Sequence, residues 1–378
     1  MPDSLPNRLA DATILRATQT ERYAVGLMHR LLILLQELEE TLIGRLQHRA
    51  MDPTAPIRTY VQRRRLEALL METQGLIASQ YREMTRETRQ ELIGLAEQEQ
   101  LATVHMVNRE LGATLMRSGL TPQRLRLLVD DTFLSGGASQ AATIKQWWER
   151  QAASMQQRFA HTLRAGLLQD ETVGQLVRRV RGTKAARYQD GAFQLSRREA
   201  ETLVRTAVMG VQNTVREETL RQNPAVIRGV MLIVTLDART SSICISRSGS
   251  AWNLADGKPL DWSTRKEPYP GPPPYHMRCR SILAPVTRDY TDMLRQLGGP
   301  RTKAALQQLS AEERQALITR TPRQEDYGGW LRRQSPAVQT TVLGAQRRAL
   351  WLKGDLNLHD LIDQRGRPLT LAELKERA

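Results

Sequence analysis

"GVMLIVTLDA", residues 229–238, is where the chain changes character. It is a continuous apolar run, rich in β-branched side chains and of strand length, and nothing upstream of it has that pattern. Downstream, "CISRSGSAWNLADGKPLDW" (244–262) continues as a second extended piece, with Asp256-Gly257 as a hairpin signal. "PYPGPPP" (268–274) reads as a stiff polyproline connector, and it delivers the chain to "CRSILAPV" (279–286), a third strand-like piece. These pieces predict a small antiparallel sheet over residues 229–287. Because the surrounding sequence has helical spacing, the fold class is α+β and predominantly helical.

Working outward, Leu27, Leu31, Leu34, Leu38, Leu42 and Leu46 fall three or four apart, on one face of an amphipathic helix, which "MDPTAP" (51–56) interrupts. Between Ile57 and Ser118 there is no proline, and Leu66, Leu69, Leu70, Ile77, Met84, Leu92 and Leu95 mark the apolar steps. The pattern fits one very long helix or a hairpin with its corner near Gly94 or Gly112. Its interspersed arginines and glutamates read as a solvated exterior.

Thr121 and Pro122 open the next helix as N-cap and first residue. In the run 144–169, Trp147 and Trp148 are adjacent and cannot share a helix face, so one belongs to a core and the other to a neighbour or partner. Asp170 and Gly182 bracket a short helix, and Ser196 with Glu199 forms a capping box for the one after it. Past Tyr290 helix returns, with capping boxes at Ser310/Glu313 and Thr370/Glu373 and a run at 338–354 that stops at Gly354. The expected organisation is a long-helix region at 1–119, a central domain at 120–290 and a helical extension at 291–378.

Composition bounds the function. A chain of 378 residues with 40% hydrophobic content supports a sizeable core, and 55 Lys+Arg against 40 Asp+Glu give a net charge of +15. Such an excess draws polyanions, nucleic acid first and acidic protein surfaces second. Two cysteines exclude a disulfide-stapled scaffold and suit a reducing compartment. The N-terminus shows no secretory pattern, and "LLILLQEL" (31–38) opens with five apolar residues where a membrane span needs about 20. A soluble, intracellularly made protein without a membrane anchor is expected.

The candidate chemistry lies at the sheet. If the strands pair as proposed, Cys244 meets His276 and Cys279, offering two thiols and an imidazole. With Asp237 as the nearest oxygen donor, these four make a candidate structural zinc site, since zinc takes four such ligands. The alternatives are that both cysteines are small buried residues, with His276 hydrogen-bonded to backbone or to Asp237, or that the two form a disulfide, which reducing conditions during synthesis disfavour. Asp237, followed by Arg239, Thr240 and Ser241, can cap its own turn and anchor it by a charge-assisted bond to a neighbouring loop. Arg278 and Arg280 flank Cys279 and would share a face in a strand, either meeting phosphate or an acidic partner or forming a solvated edge. The motifs of zinc deaminases, nucleophile-elbow hydrolases, zinc metalloproteases and P-loop enzymes are missing from the sequence, which places an enzyme below a structural protein.

"LDARTSSIC" after an apolar strand, then "PPYHMRCRSILAPV", resembles the signature of phage minor head proteins of the Mu F-like, head-morphogenesis type. The matching positions are Asp237, Arg239, Thr240, Ser241, Pro273, His276, Cys279, Arg280 and Ser281, with Arg205, Thr206 and Asn213 in the preceding helix. The resemblance covers residues 120–290. It implies a virion protein of few copies at the portal vertex inside the head, made in the host cytoplasm. It also implies contact with portal protein, other head proteins and packaged double-stranded DNA, and a role in head assembly and in DNA packaging or ejection. Two further readings stay open: a metal-dependent hydrolase or nuclease using Cys244, His276 and Cys279, and a helical adaptor with no role for DNA.

Overall fold

The structure is a computed structural model and describes residues 4–49, 60–134, 141–296, 326–363 and 368–377, with positions 304 and 307. It is an α+β fold dominated by helix, with long N-terminal helices and a small antiparallel sheet. No helix among the described residues is long and apolar enough to cross a membrane. The chain packs as two compact units. One, the sheet unit, comprises Met1–Glu21, Ile93–Ala141 and Val208–Ala378; the other, the helical unit, comprises Arg22–Leu92 and Ala142–Ala207. Both are discontinuous in sequence, so neither coincides with the linear division into 1–119, 120–290 and 291–378.

Helix α1 (Leu5–Arg49) buries Leu27, Leu31, Leu38, Leu42 and Leu46, and takes Leu35 into that face while Leu34 is only half-buried. Helix α2 (Tyr60–Leu111) is one continuous helix. Gly94 lies within it without a corner, and Gly112, at φ +69°, follows its last turn. Leu69, Leu70, Ile77, Met84, Leu92 and Leu95 are buried as their spacing requires; the side chain of Leu66 lies outside the described residues.

Helix α3 (Pro122–Asp130) starts on Thr121, which accepts from the Arg124 amide, and α4 (Ile144–Leu168) on a Thr143/Gln146 capping box. Between them lie β1 (Phe133–Leu134) and β2 (Ala142–Thr143), strands too short to leave a pattern in sequence. Trp148 is fully buried against Tyr81, whereas Trp147 carries the Arg150 guanidinium over its ring. Helix α5 (Val173–Arg181) is capped by Thr172 with Gln175, not by Asp170, which sits upstream at φ +52°; Gly182 ends it. Helix α6 (Ala192–Arg221) begins before Ser196. The Ser196/Glu199 pair is therefore no cap: both side chains accept bonds from Arg158 of α4.

The sheet has the order β4-β3-β5, all antiparallel, from β3 (Ile227–Ile233), β4 (Ala251–Asn253) and β5 (Ile282–Thr287). Val230 stands opposite both Trp252 and Pro285; Pro285 has no N–H to offer and is tolerated because β5 is an edge strand. Gly229 is required where β3 approaches β4, since a Cβ there would lie 2.1 Å from the Trp252 carbonyl oxygen. The Asp256-Gly257 turn forms with Gly257 at φ +70°, and Trp252 bridges Pro259. "CIS" does not extend a strand. Ser241 caps it instead into a short helix, α7 (Ser242–Ser246).

One core gathers Val230, Leu232, Cys244, Ile245, Trp252, Cys279 and Leu283 with Leu220 of α6. Against it pack side chains from α8 (Tyr290–Gln296), α9 (Tyr327–Arg332) and α11 (Ala345–Lys353), among them Met293, Tyr327, Leu331 and Trp351. Burying each such aliphatic or aromatic side chain contributes about 1.5–3 kcal/mol. Gly344 divides the run 338–354 between α10 (Pro336–Leu343) and α11, which stops at Gly354 as expected. The Thr370/Glu373 box caps α12 (Leu371–Arg377), while the Ser310/Glu313 box lies outside the described residues.

Candidate metal centre

After β3 the chain turns at Asp237, and the turn is self-made: Asp237 Oδ1 accepts from the Arg239 amide at 2.9 Å and from the Thr240 hydroxyl at 3.3 Å. Ser241 then caps α7, fixing Cys244 one turn in, at 2% exposure. From the other side, buried Pro273 and Pro274 lead to His276, and Arg278 takes a left-handed conformation (φ +59°) that returns the chain toward β5. Cys279 arrives at 1% exposure, with its amide donating to the His276 carbonyl at 3.1 Å.

These two segments bring the donors together. Cys244 Sγ lies 3.7 Å from Cys279 Sγ and 3.1 Å from His276 Nε2, and Ser241 Oγ lies 2.7 Å from the same nitrogen. His276 Nδ1 donates to the Met277 carbonyl at 2.8 Å, which turns Nε2 toward the sulfurs. The two cysteines are free thiols. Cys244, His276 and Cys279 form a group that could hold a metal ion, their ligand atoms all within 4.8 Å of one another.

The electrostatics set the two thiols apart. The hydrogen bond from Cys244, together with His276, brings the Cys279 thiol well below its ordinary range, burial opposing the shift; the same bond and burial push Cys244 well above it. Of the two sulfurs, Cys279 is the one that ionises more readily. Burial works against protonating His276, but Cys279 as acceptor and neighbouring charge outweighs it and raises the imidazole above its usual value. The Arg247 guanidinium, 4.6 Å from the centre of the Tyr275 ring, adds positive charge beside the sulfurs.

Asp237 is not among the donors. Both its oxygens are taken by the Arg280 guanidinium, at 2.6 and 2.7 Å, a bidentate pair that holds the carboxyl down at about 2. Tyr327 Oη donates to the Asp237 carbonyl at 2.7 Å and ties the turn to α9. Thr240 also bonds the Thr235 carbonyl, and the Arg239 side chain is 84% exposed, 3.6 Å from Asp237. Arg278 and Arg280 do not share a strand face, because β5 starts only at Ile282; Arg278 is exposed on the turn and Arg280 is committed to Asp237.

The support beneath the cluster comes from α6. Asn213 donates to the Ser281 carbonyl at 3.1 Å and accepts from the Leu283 amide at 3.0 Å, acting as a side-chain partner for the edge of β5. Arg216, fully buried, donates to the Leu283 carbonyl at 3.1 Å and to Glu99, also fully buried, at 2.9 Å. Glu99 further accepts from Arg16 and Gln212. Sequence reading missed this network because Arg216 and Glu99 look like members of solvated Arg/Glu faces. A signal existed in α6, where Met209, Asn213, Arg216 and Leu220 share the spacing of one buried face.

No family model, no curated protein and no solved structure matches the chain.

Proposed function

We propose that this chain is a structural minor head protein of a tailed phage, of the Mu F-like type, placed at the portal vertex in contact with packaged DNA. The observation that supports the reading most is how the two halves of the resembling motif combine. Asp237 pairs with Arg280, Ser241 with His276, and Cys244 with Cys279. Residues some 35–43 positions apart in sequence thus serve one another, which is how a motif behaves when it maintains a fold. Within this reading the cluster is a structural zinc site. An edge of a tetrahedral zinc–thiolate site is about 3.8 Å long for Zn–S bonds of about 2.3 Å, close to the sulfur separation found here. The Nδ1 bond to Met277 provides the outer support that orients a ligating imidazole. Three donors are present, and it is the burial of both sulfurs, which keeps substrate from the cluster, that favours a structural site over a hydrolytic one.

The test is the chain's neighbourhood in purified particles. Cross-linking mass spectrometry should yield cross-links to the portal ring and to DNA-facing head components. A chain that is absent from particles, or cross-linked only to tail proteins, ends the proposal.

A further inference from the structure

The helical unit carries its charges in two patterns. Along α1 and α2 several cations are matched: Arg30 with Glu87 and Glu91, Arg45 with Glu72, Arg86 with Glu83. Residues 178–198, from the end of α5 into α6, differ: they hold seven Lys and Arg and a single acidic residue, Asp190. Asp190 is already used, accepting from the Thr183 amide at 2.7 Å and hydroxyl at 2.8 Å, bonds that lower its pKa and keep it an internal brace of the loop. Arg179 is held by Glu171, and Arg181 and Arg197 share Glu39. Arg178, Lys184 and Arg187 are exposed and have no acidic partner among the described residues; exposed Arg198 bonds only the neutral Gln189 side chain.

The loop presenting these cations is fixed. Gly182 (φ +96°), Arg187 (φ +50°) and Tyr188 (φ +60°) are all left-handed, and non-glycine residues hold that conformation only where surrounding bonds enforce it. Here the Tyr188 amide donates to the Thr183 carbonyl at 2.8 Å, and Gln189 accepts from Gln194 at 2.9 Å as well as from Arg198. At Gly191 a Cβ would fall 2.4 Å from the Arg181 carbonyl, so the loop closes tightly on its own base. Tyr188 is left 44% exposed, beside Arg181 and Arg197 and with Glu39 and Glu40 across the same hollow.

We propose that this loop, with the last turn of α5 and Arg198 of α6, is the surface on which the protein binds the backbone of duplex DNA. Arg178, Lys184, Arg187 and Arg198 take phosphate oxygens, and Tyr188 packs against sugar. The proposal rests on the reading of the chain as a DNA-contacting head protein and gives that contact a location. Duplex DNA, with about one charge per 1.7 Å of axis, suits a fixed stretch in which seven cations outnumber one acid, and guanidinium forks match phosphate oxygens. Nothing in the loop selects a base sequence.

Filter binding of a short mixed-sequence duplex over a salt series tests this with three full-length proteins: the native chain, R178Q/K184Q/R187Q, and the equally charge-reduced control R30Q/R45Q/R86Q. The loop variant should bind at least about tenfold more weakly and lose about 2 to 3 from the log–log salt slope, while the control changes less than about threefold. Equal weakening of both variants overturns the loop assignment and leaves DNA contact standing on net charge alone. A native chain that fails to bind DNA at low salt but captures a polyglutamate peptide overturns both, and makes the loop a site for acidic protein. Unchanged circular dichroism in the two variants assigns any difference to the surface.

Discussion

The charges of the sheet unit and those of the 178–198 loop are handled in opposite ways. In the sheet unit, Glu99 and Arg216, Asp237 and Arg280, and Cys244 and Cys279 each find their complement inside the fold, from segments distant in sequence. The loop is local and exposed, and its nearest acid is used as a brace, so its cations are left over. Satisfied charges specify a structure, whereas surplus ones specify a partner. The two regions should therefore respond differently to the same kind of substitution, one in stability and the other in binding.

The largest expected effect is at Glu99. Glu99→Ala leaves Arg216 buried without a counter-charge, and breaking such a pair costs about 3–5 kcal/mol. Urea denaturation of the variant should show this as a lowered midpoint with an unchanged slope. A loss below about 1 kcal/mol would show that water or rearrangement compensates Arg216, and would remove the sheet unit from the satisfied class. Next is the metal. Zinc at a hundredfold excess over its Kd stabilises a protein that binds it only when folded by about 3 kcal/mol. Native protein should then carry one zinc per chain by elemental analysis, and a chelator should lower its Tm. Cys279→Ser should lose both the zinc and the chelator response; native protein without zinc that ignores chelators would leave the thiol pair as packing.

How much of this was legible beforehand follows from the range of each interaction. Alternation between helical spacing and a β-branched run is local, so the α+β class, the Asp256-Gly257 turn and the Thr121 cap could be read from residues in a row. The Cys244, His276 and Cys279 grouping was readable only by supposing that the strands pair, and it came without its electrostatics. Asp237 looked like a fourth ligand because an oxygen donor near two thiols is chemically reasonable; what sequence could not show is that Arg280 occupies both oxygens. Arg278 and Arg280 were placed on one strand face because a backbone reversal at a non-glycine residue gives no local warning. Glu99 and Arg216 stand 117 positions apart and resemble their solvated neighbours, so only the fold reveals them.

The Asp237–Arg280 pair offers an intermediate effect with a pH signature. Its carboxyl lies at about 2 in the folded chain against an ordinary value near 3.8. The stabilisation is fully present above about pH 4 and is lost as the pH falls through about 2, because protonation then favours the unfolded chain. The pair is partly exposed, which limits it to about 1–2 kcal/mol. Asp237→Asn should cost that amount at pH 7 and progressively less as the pH drops from 4 to 2, measured as urea midpoints at each pH. A constant deficit across that range would assign the loss to altered hydrogen bonding at the turn and not to the charge.

The smallest expected change tests the loop by its lack of effect on the fold. Arg187 is exposed, donates its amide to the Lys184 carbonyl, and has no acidic partner among the described residues, so Arg187→Gln removes a charge without breaking a bond that holds the loop. Surface changes of that kind stay within about 0.5 kcal/mol. Neutralising one member of a like-charged cluster should, if anything, relieve repulsion and raise the thermal midpoint slightly at low salt, an increment that about 1 M salt abolishes because the screening length there is only about 3 Å. Differential scanning calorimetry at the two salt concentrations measures it. A destabilisation above 1 kcal/mol would mean that Arg187 holds the loop together, and that the loop belongs with the sheet unit among the charges the fold consumes for itself.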